Sequence, residues 1–121
     1  MRILVVDDSS TMRRIIINTL NKIGYSDCHE AANGREGVER LGATPVDMII
    51  TDWNMPEMSG VDFIRAVRAN DSTKHLPVLM VTTNAAQDDI VEAMRAGVNN
   101  YVVKPFTPDT IREKIQAALK Q

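Results

Sequence analysis

Two aspartates, Asp7 and Asp8, follow directly on the apolar run Ile3-Val6. A third, Asp52, lies just beyond the run Val46-Ile50. Thr82 and Thr83 follow Val78-Val81, and Lys104 follows Tyr101-Val103. Short runs rich in β-branched residues read as strands, so each of these polar side chains sits at a strand's carboxyl end. Singly, each has an ordinary role: an aspartate after a strand caps the next helix, a threonine forms strand, and a lysine is solvated. Together they set three carboxylates, hydroxyls and an ammonium on one rim. Neighbouring carboxylates repel by roughly 1–4 kcal/mol at ~4 Å, depending on the local dielectric. Oxygen donors of this kind suit a hard cation, and Mg²⁺ takes one or two carboxylates with water and phosphate. A divalent ion between Asp7-Asp8 and Asp52 makes the pair tolerable, with Lys104 and Thr82 on the anionic oxygens that the metal does not hold. The residues alone leave all three aspartates as candidate nucleophiles.

The elements that must position this rim alternate regularly. Ile3-Val6, Val46-Ile50, Val78-Val81 and Tyr101-Val103 are nearly continuous in apolar character, as strands covered on both faces are. Asp27-Ala31 is polar and fits an edge strand. Met12, Ile15, Ile16, Leu20 and Ile23 follow helical spacing, with Ser9 or Ser10 as N-cap and Gly24 as the stop. Val38 and Leu41 mark a second helix ending at Gly42; Val61, Ile64 and Val67 mark a third. Ile90, Ala93 and Met94 mark a fourth, ended by Gly97. Thr107 caps a fifth, with Pro108 in its first position and Ile111, Ile115 and Leu119 along its face. Five βα units joined by right-handed crossovers give a doubly wound open α/β sheet; they are too few for a closed eight-unit barrel. In such sheets ligands bind beyond the carboxyl ends of the strands.

Composition narrows the function further. The chain has 121 residues, 44% apolar and 25% charged, enough for one domain with its own core and unlike a disordered segment. A formal net charge of −2 gives no electrostatic support for a nucleic-acid groove or an anionic membrane surface. Cys28 is the single cysteine, so neither an internal disulfide nor a CxxC zinc site is available. The apolar stretch before Asp7 is too short for a signal-peptide core, which leads to the expectation of a cytoplasmic protein. His29 and His75 read as isolated, without metal-ligand company, the methionines as gap-fillers, and Arg13-Arg14 as a solvated face, with kinase docking beside the rim as the alternative.

With Asp7-Asp8, Asp52, Thr82 and Lys104-Pro105 on five βα units, the whole chain resembles the receiver domain of bacterial two-component response regulators. The segments "STMRRI", "TDWNMPEMSG" and "YVVKPFT" resemble those of the stand-alone chemotaxis members. The resemblance implies a flavodoxin-like (βα)5 fold with strand order 2-1-3-4-5 and a single receiver domain over residues 1–121 with no effector domain. It implies Asp52 as the nucleophile that takes a phosphoryl group from a histidine kinase, with Lys104 and Thr82 on the phosphoryl oxygens. It implies Mg²⁺ held by Asp8, the Asp52 side chain and the Asn54 carbonyl, with Asp7 acting through water. The protein would catalyse only its own phosphorylation and dephosphorylation, and would work as a monomer.

For output, the resemblance implies that Thr82 moves toward the phosphoryl group and Tyr101 rotates inward. The face lined by Ile90, Tyr101, Val103 and Lys114 would then change its affinity for an output protein such as a flagellar switch component; a phosphatase is a further implied partner. Asn84 and Thr83 depart from the chemotaxis pattern, as does "AAQDDI" at the fourth helix, where lysines are absent. Acyl-phosphate lifetime and partner choice follow those positions. The alternatives are a phosphorelay or adaptor receiver outside chemotaxis, a Mg²⁺-dependent phosphohydrolase and a flavodoxin-like cofactor binder. The phosphohydrolase pattern wants a second aspartate two residues after the nucleophile, where Asp7 is followed by Ser9. A cofactor's phosphate would be repelled by carboxylates after the first strand.

Overall fold

The computed structural model describes residues 1–53, 55, 57–83 and 86–120. Strands and helices alternate along the chain: β1 (Arg2–Val6), α1 (Ser10–Lys22), β2 (Asp27–Ala31), α2 (Gly34–Ala43), β3 (Met48–Thr51), α3 (Gly60–Ala69), β4 (Val78–Thr82), α4 (Gln87–Ala96), β5 (Asn100–Val103) and α5 (Pro108–Leu119). The strands form one parallel sheet in the order β2-β1-β3-β4-β5, so the chain reverses its winding direction between β1 and β3. This is the expected doubly wound sheet, with polar β2 at one edge.

Strand alternation divides the core in two. Ile3, Val5, Met48, Ile50, Leu79, Val81 and Val102 face the side covered by α1 and α5, where Ile16, Leu20, Ile111 and Ile115 meet them. Leu4, Val6, Ile49, Val78 and Met80 face the other side, against Phe63, Ile64 and Val67 of α3 and Ala93 of α4. Central strands buried on both faces must be apolar at successive positions, which is why β1, β3 and β4 read as continuous runs.

The helix ends follow local chemistry. Ser9, Asn33, Ser59 and Thr107 cap α1, α2, α3 and α5, each side chain accepting a main-chain N–H in the first turn. Gly24 and Gly97 leave α1 and α4 in the left-handed region, at φ +99° and +115°. Several expectations need correction. Helix α2 runs through Gly42 to Ala43, and β3 begins at Met48 with Val46 packed beside it. Ile15, Val38, Met94 and Leu119, expected on core faces, are 39–46% exposed. A helix lying on a sheet buries a narrow strip, in α1 centred on Ile16, Thr19 and Leu20; Ile15 is about 100° round the helix from it.

Candidate functional site

The parallel ladder continues one residue past its strands. The Asp52 N–H donates to the Val6 carbonyl at 3.0 Å and the Asp7 N–H to the Ala31 carbonyl at 3.1 Å. The Lys104 N–H donates to the Thr82 carbonyl at 2.8 Å. Those bonds hold the chain straight just long enough to deliver each functional side chain to the rim. Asp7, Asp52 and Lys104 also continue the alternation of Val5, Ile50 and Val102, which places them on the α1/α5 side. Thr82 ends the opposite row with Val78 and Met80. It is buried, beside β5.

Lys104 lies between two carboxylates. Its Nζ is 3.1 Å from Asp7 Oδ2 and 3.6 Å from Asp52 Oδ2, with the three side chains 10%, 1% and 12% exposed respectively. Asp7 also accepts the Ser9 N–H at 2.9 Å, and Asp52 Oδ1 accepts the Trp53 N–H at 2.7 Å. Ser9, rather than either aspartate, is therefore the α1 cap. Oxygens of Asp7, Asp8 and Asp52 all lie within 4.8 Å of one another, with Asp8 exposed. All-oxygen donors of net negative charge fit a hard divalent cation.

The expectation that a divalent ion makes the Asp7-Asp8 pair tolerable gains a second part here. The protein supplies a buried counter-charge in Lys104 and turns Asp8 toward solvent. The cost remains visible in Asp7, whose carboxyl is pushed above its ordinary value, chiefly by burial and further by the nearby Asp52 charge. The Ser9 N–H and Lys104 pull it the other way without prevailing.

The remaining expected site residues are spread around this centre. Tyr101 is half-buried in β5 and packed against the α3/α4 side of the core. Burial raises its phenol pKa, with the charges of Asp89 and Asp52 adding to the effect. Ile90 and Lys114 are half-buried, while Val103 and Thr83 are exposed. Asn54 and Asn84 lie outside the described residues.

The reading of Arg13 as part of a solvated face does not hold. Arg13 is 16% exposed and bonded to Glu30 and to the Asp7 carbonyl, while Arg14 is exposed. His29 Nε2 lies 2.9 Å from Asp27 Oδ1. Gly60 is a site residue that motif reading missed. A Cβ placed on it would lie 2.0 Å from the Asp52 carbonyl oxygen, so the start of α3 can touch this strand end only without a side chain. The signal available was a glycine directly after the cap Ser59, an ambiguous one because glycine is tolerated around helix starts generally.

Comparison with known proteins bears directly on this rim. The model of the response regulator receiver domain matches residues 3–116. The chain is 52% identical over 120 residues to the chemotaxis protein CheY1 of Helicobacter pylori, covering 98% of this chain and 97% of that one. Among solved structures, Vibrio cholerae CheY4 superposes with a TM-score of 0.89 at 37% identity, over 97% of each chain. CheY is itself a standard example of the 2-1-3-4-5 strand order. The receiver domain of a Pseudomonas aeruginosa sensor histidine kinase, 28% identical, superposes with a TM-score of 0.89 over 99% of this chain and 98% of its own. That structure carries a magnesium ion coordinated in its active site cleft. The family match spans nearly the whole chain, and its fold is the one found here: the chain belongs to the response regulator receiver domain family.

Proposed function

We propose that the protein is a phosphorylation-switched signalling module of chemotaxis, in which Asp52 accepts a phosphoryl group from the phosphohistidine of a histidine kinase. The observation that carries this reading is the placement of Lys104 against Asp52 and Asp7, with Thr82 at the neighbouring strand end. A carboxylate oxygen of Asp52 attacks phosphorus; the new O–P bond forms as the P–N bond breaks with its electron pair staying on the ring nitrogen, and the imidazole, protonated beforehand by solvent at its other nitrogen, leaves neutral. Lys104 and the Thr82 hydroxyl hold the equatorial oxygens of the group in transit. The Trp53 N–H, already on Asp52 Oδ1, keeps the other carboxylate oxygen turned aside. Such transfer asks the protein for alignment and charge neutralisation more than for covalent chemistry.

Asp7, Asp8 and Asp52, with the Asn54 carbonyl, would hold Mg²⁺. When bound, the ion neutralises charge on the phosphoryl oxygens and on the carboxylates together. Once phosphorylated, the protein offers Lys104 an alternative anionic partner to Asp7 and draws Thr82 toward the new group. Tyr101, beside β4 in the sheet, then repacks and alters the face that includes Ile90, Val103 and Lys114. Moving such an equilibrium from 1:99 to 99:1 takes about 5.5 kcal/mol, so a partial shift completed by the partner is the expected behaviour.

The kinase, an output protein such as a flagellar switch component and a phosphatase are the proposed partners; nucleic acid and membrane are not. In this reading residues 1–121 form one receiver domain that acts on a separate partner protein. In this reading the protein is a cytoplasmic monomer whose catalysis is confined to its own phosphorylation and dephosphorylation. Incubation with a small acyl-phosphate donor and Mg²⁺ should add one phosphoryl group by mass, labile to hydroxylamine. Asp52→Asn should abolish it, and Trp53 emission should change on adding Mg²⁺ and again on adding the donor. Unchanged phosphorylation of the Asp52→Asn variant would overturn the assignment.

A further inference from the structure

Arg13, in the first turns of α1, is mostly covered, while its partner Glu30 is half exposed. Its Nε donates to Glu30 Oε1 at 2.9 Å and its Nη1 to the main-chain carbonyl of Asp7 at 2.6 Å. Glu30 lies on edge strand β2 and pairs in register with Val5, two residues before Asp7. That carbonyl belongs to the peptide unit joining Asp7 to Asp8, so whatever fixes its direction fixes how the two side chains leave the backbone. On the other side of Asp7, the N–H is already held by the Ala31 carbonyl. Asp8 is exposed, and among the described residues no hydrogen bond or ion pair holds its carboxylate. The backbone therefore sets where the Asp8 side chain starts, and Arg13 holds that backbone together with the Ser9 N–H on Asp7 Oδ1.

The choice of arginine fits the task. A planar guanidinium presents N–H groups along separate directions and can satisfy a carboxylate and a carbonyl at once, which an ammonium at a single point does less well. Were charge the purpose, the cation would gain most by facing the acidic cluster itself. Instead it meets a main-chain oxygen and a carboxylate outside the cluster.

We infer that Arg13, held by Glu30, is a positioning residue of the acidic site: it orients the Asp7–Asp8 peptide so that the Asp8 carboxylate converges with Asp7 and Asp52 on a divalent cation. This rests on the Mg²⁺ reading above. Positioning and simple charge have opposite signatures. If Arg13 acts as a nearby cation, its removal strengthens Mg²⁺ binding and neutralising Glu30 weakens it. If it acts by orientation, both changes weaken binding.

The test is a magnesium chloride titration of the full chain at constant ionic strength, followed by calorimetry and by Trp53 emission, for the wild type, Arg13→Met, Arg13→Lys and Glu30→Gln. Arg13→Met should raise the Mg²⁺ dissociation constant about tenfold, the low end for partners that orient metal ligands. Glu30→Gln should raise it by a smaller factor. Arg13→Lys, which keeps the charge but not the fork, should remain weaker than wild type. Equal or tighter binding by Arg13→Met, or a lysine variant indistinguishable from wild type, would overturn the inference. Should Arg13→Met fail to fold, the lysine variant decides, because Glu30→Gln weakens binding on either account. A wild type that binds no Mg²⁺ overturns the metal reading itself, and this inference with it.

Discussion

Lys104 Nζ sits nearer to Asp7 than to Asp52, at 3.1 Å against 3.6 Å, although the two residues it bonds in this way come from strands on opposite sides of the sheet's winding reversal. The lysine is thus the counter-charge of the acidic rim before any ligand arrives. Replacing it by methionine leaves Asp7 and Asp52 without a cation between them. Lys104→Met should lower the stability of the metal-free protein by about 3 kcal/mol at neutral pH, the low end for breaking a buried pair. Added Mg²⁺ should recover more stability in this variant than in wild type. Urea melts in EDTA and in Mg²⁺ measure both; equal recovery would show that Lys104 and the metal do not share a task.

The raised pKa of Asp7 has a sign that can be checked. Its ordinary value is 3.8, and in the fold it lies above that, with burial as the leading cause. Between the two values the folded protein binds a proton that the unfolded chain does not, so this group's contribution to stability grows as pH falls and is lost as pH rises through the folded pKa. At neutral pH the ionised carboxylate works against the metal-free fold. Asp7→Asn should therefore melt higher than wild type in EDTA at pH 7, with the gap closing as pH is lowered toward 4. The same variant should lose the Mg²⁺-induced rise, which for the wild type is about 2.7 kcal/mol at a hundredfold excess over the dissociation constant.

Gly60→Ala tests how closely α3 is docked on the nucleophile's strand end. The added methyl has the Asp52 carbonyl oxygen 2.0 Å away and Trp53 Cα 2.9 Å away, both main-chain atoms that cannot swing aside. A loss of about 2–3 kcal/mol is expected, as for other overpacked sites. The helical preference of alanine offsets part of this. Because the displaced atoms carry Asp52, phosphorylation by an acyl-phosphate donor should slow as well. An alanine variant of unchanged stability and rate would show that the α3 start has room to move.

Arg68 is the corresponding anchor at the far end of the molecule. Its guanidinium donates to the carbonyls of Gly97, Lys74 and Leu76 and to Asn99 Oδ1, at 2.6–3.2 Å. Burial lowers its pKa. The arginine therefore ties the exit of α4 to the loop before β4. Arg68→Met should cost about 3 kcal/mol, since several half-buried acceptors lose their donor together. Arg68→Lys should recover only part, because one ammonium cannot reach all of them. Equilibrium denaturation with an unchanged m-value would place the loss in the native state.

The elements and the rim were legible in sequence because both are written in local pattern. Continuous apolar runs mark strands covered on two faces, glycines at 24 and 97 mark helix exits, and Asp7, Asp52, Thr82 and Lys104 each follow their apolar run within two residues. Alternation then carries Asp7, Asp52 and Lys104 onto one side. The places where local reading slipped are margins: Ile15 and Met94 have helical spacing, but the width of the buried strip depends on how each helix lies on the sheet.

Tertiary structure alone decided which charges meet. Arg13 and Glu30 are 17 residues apart and Lys104 and Asp7 are 97 apart. Side-chain bonds across such separations leave no periodic trace. An arginine that holds a distant carbonyl looks, in sequence, like any solvated arginine, as Arg13 beside Arg14 does. The close approach at Gly60 is invisible for the same reason: a glycine reports that a side chain is absent, and only the packed helix shows what would have filled its place. Sequence thus determined what chemistry the strand ends carry. The fold determined that a lysine already occupies the space between the carboxylates, because pairing of the strands, not proximity along the chain, brings those residues together.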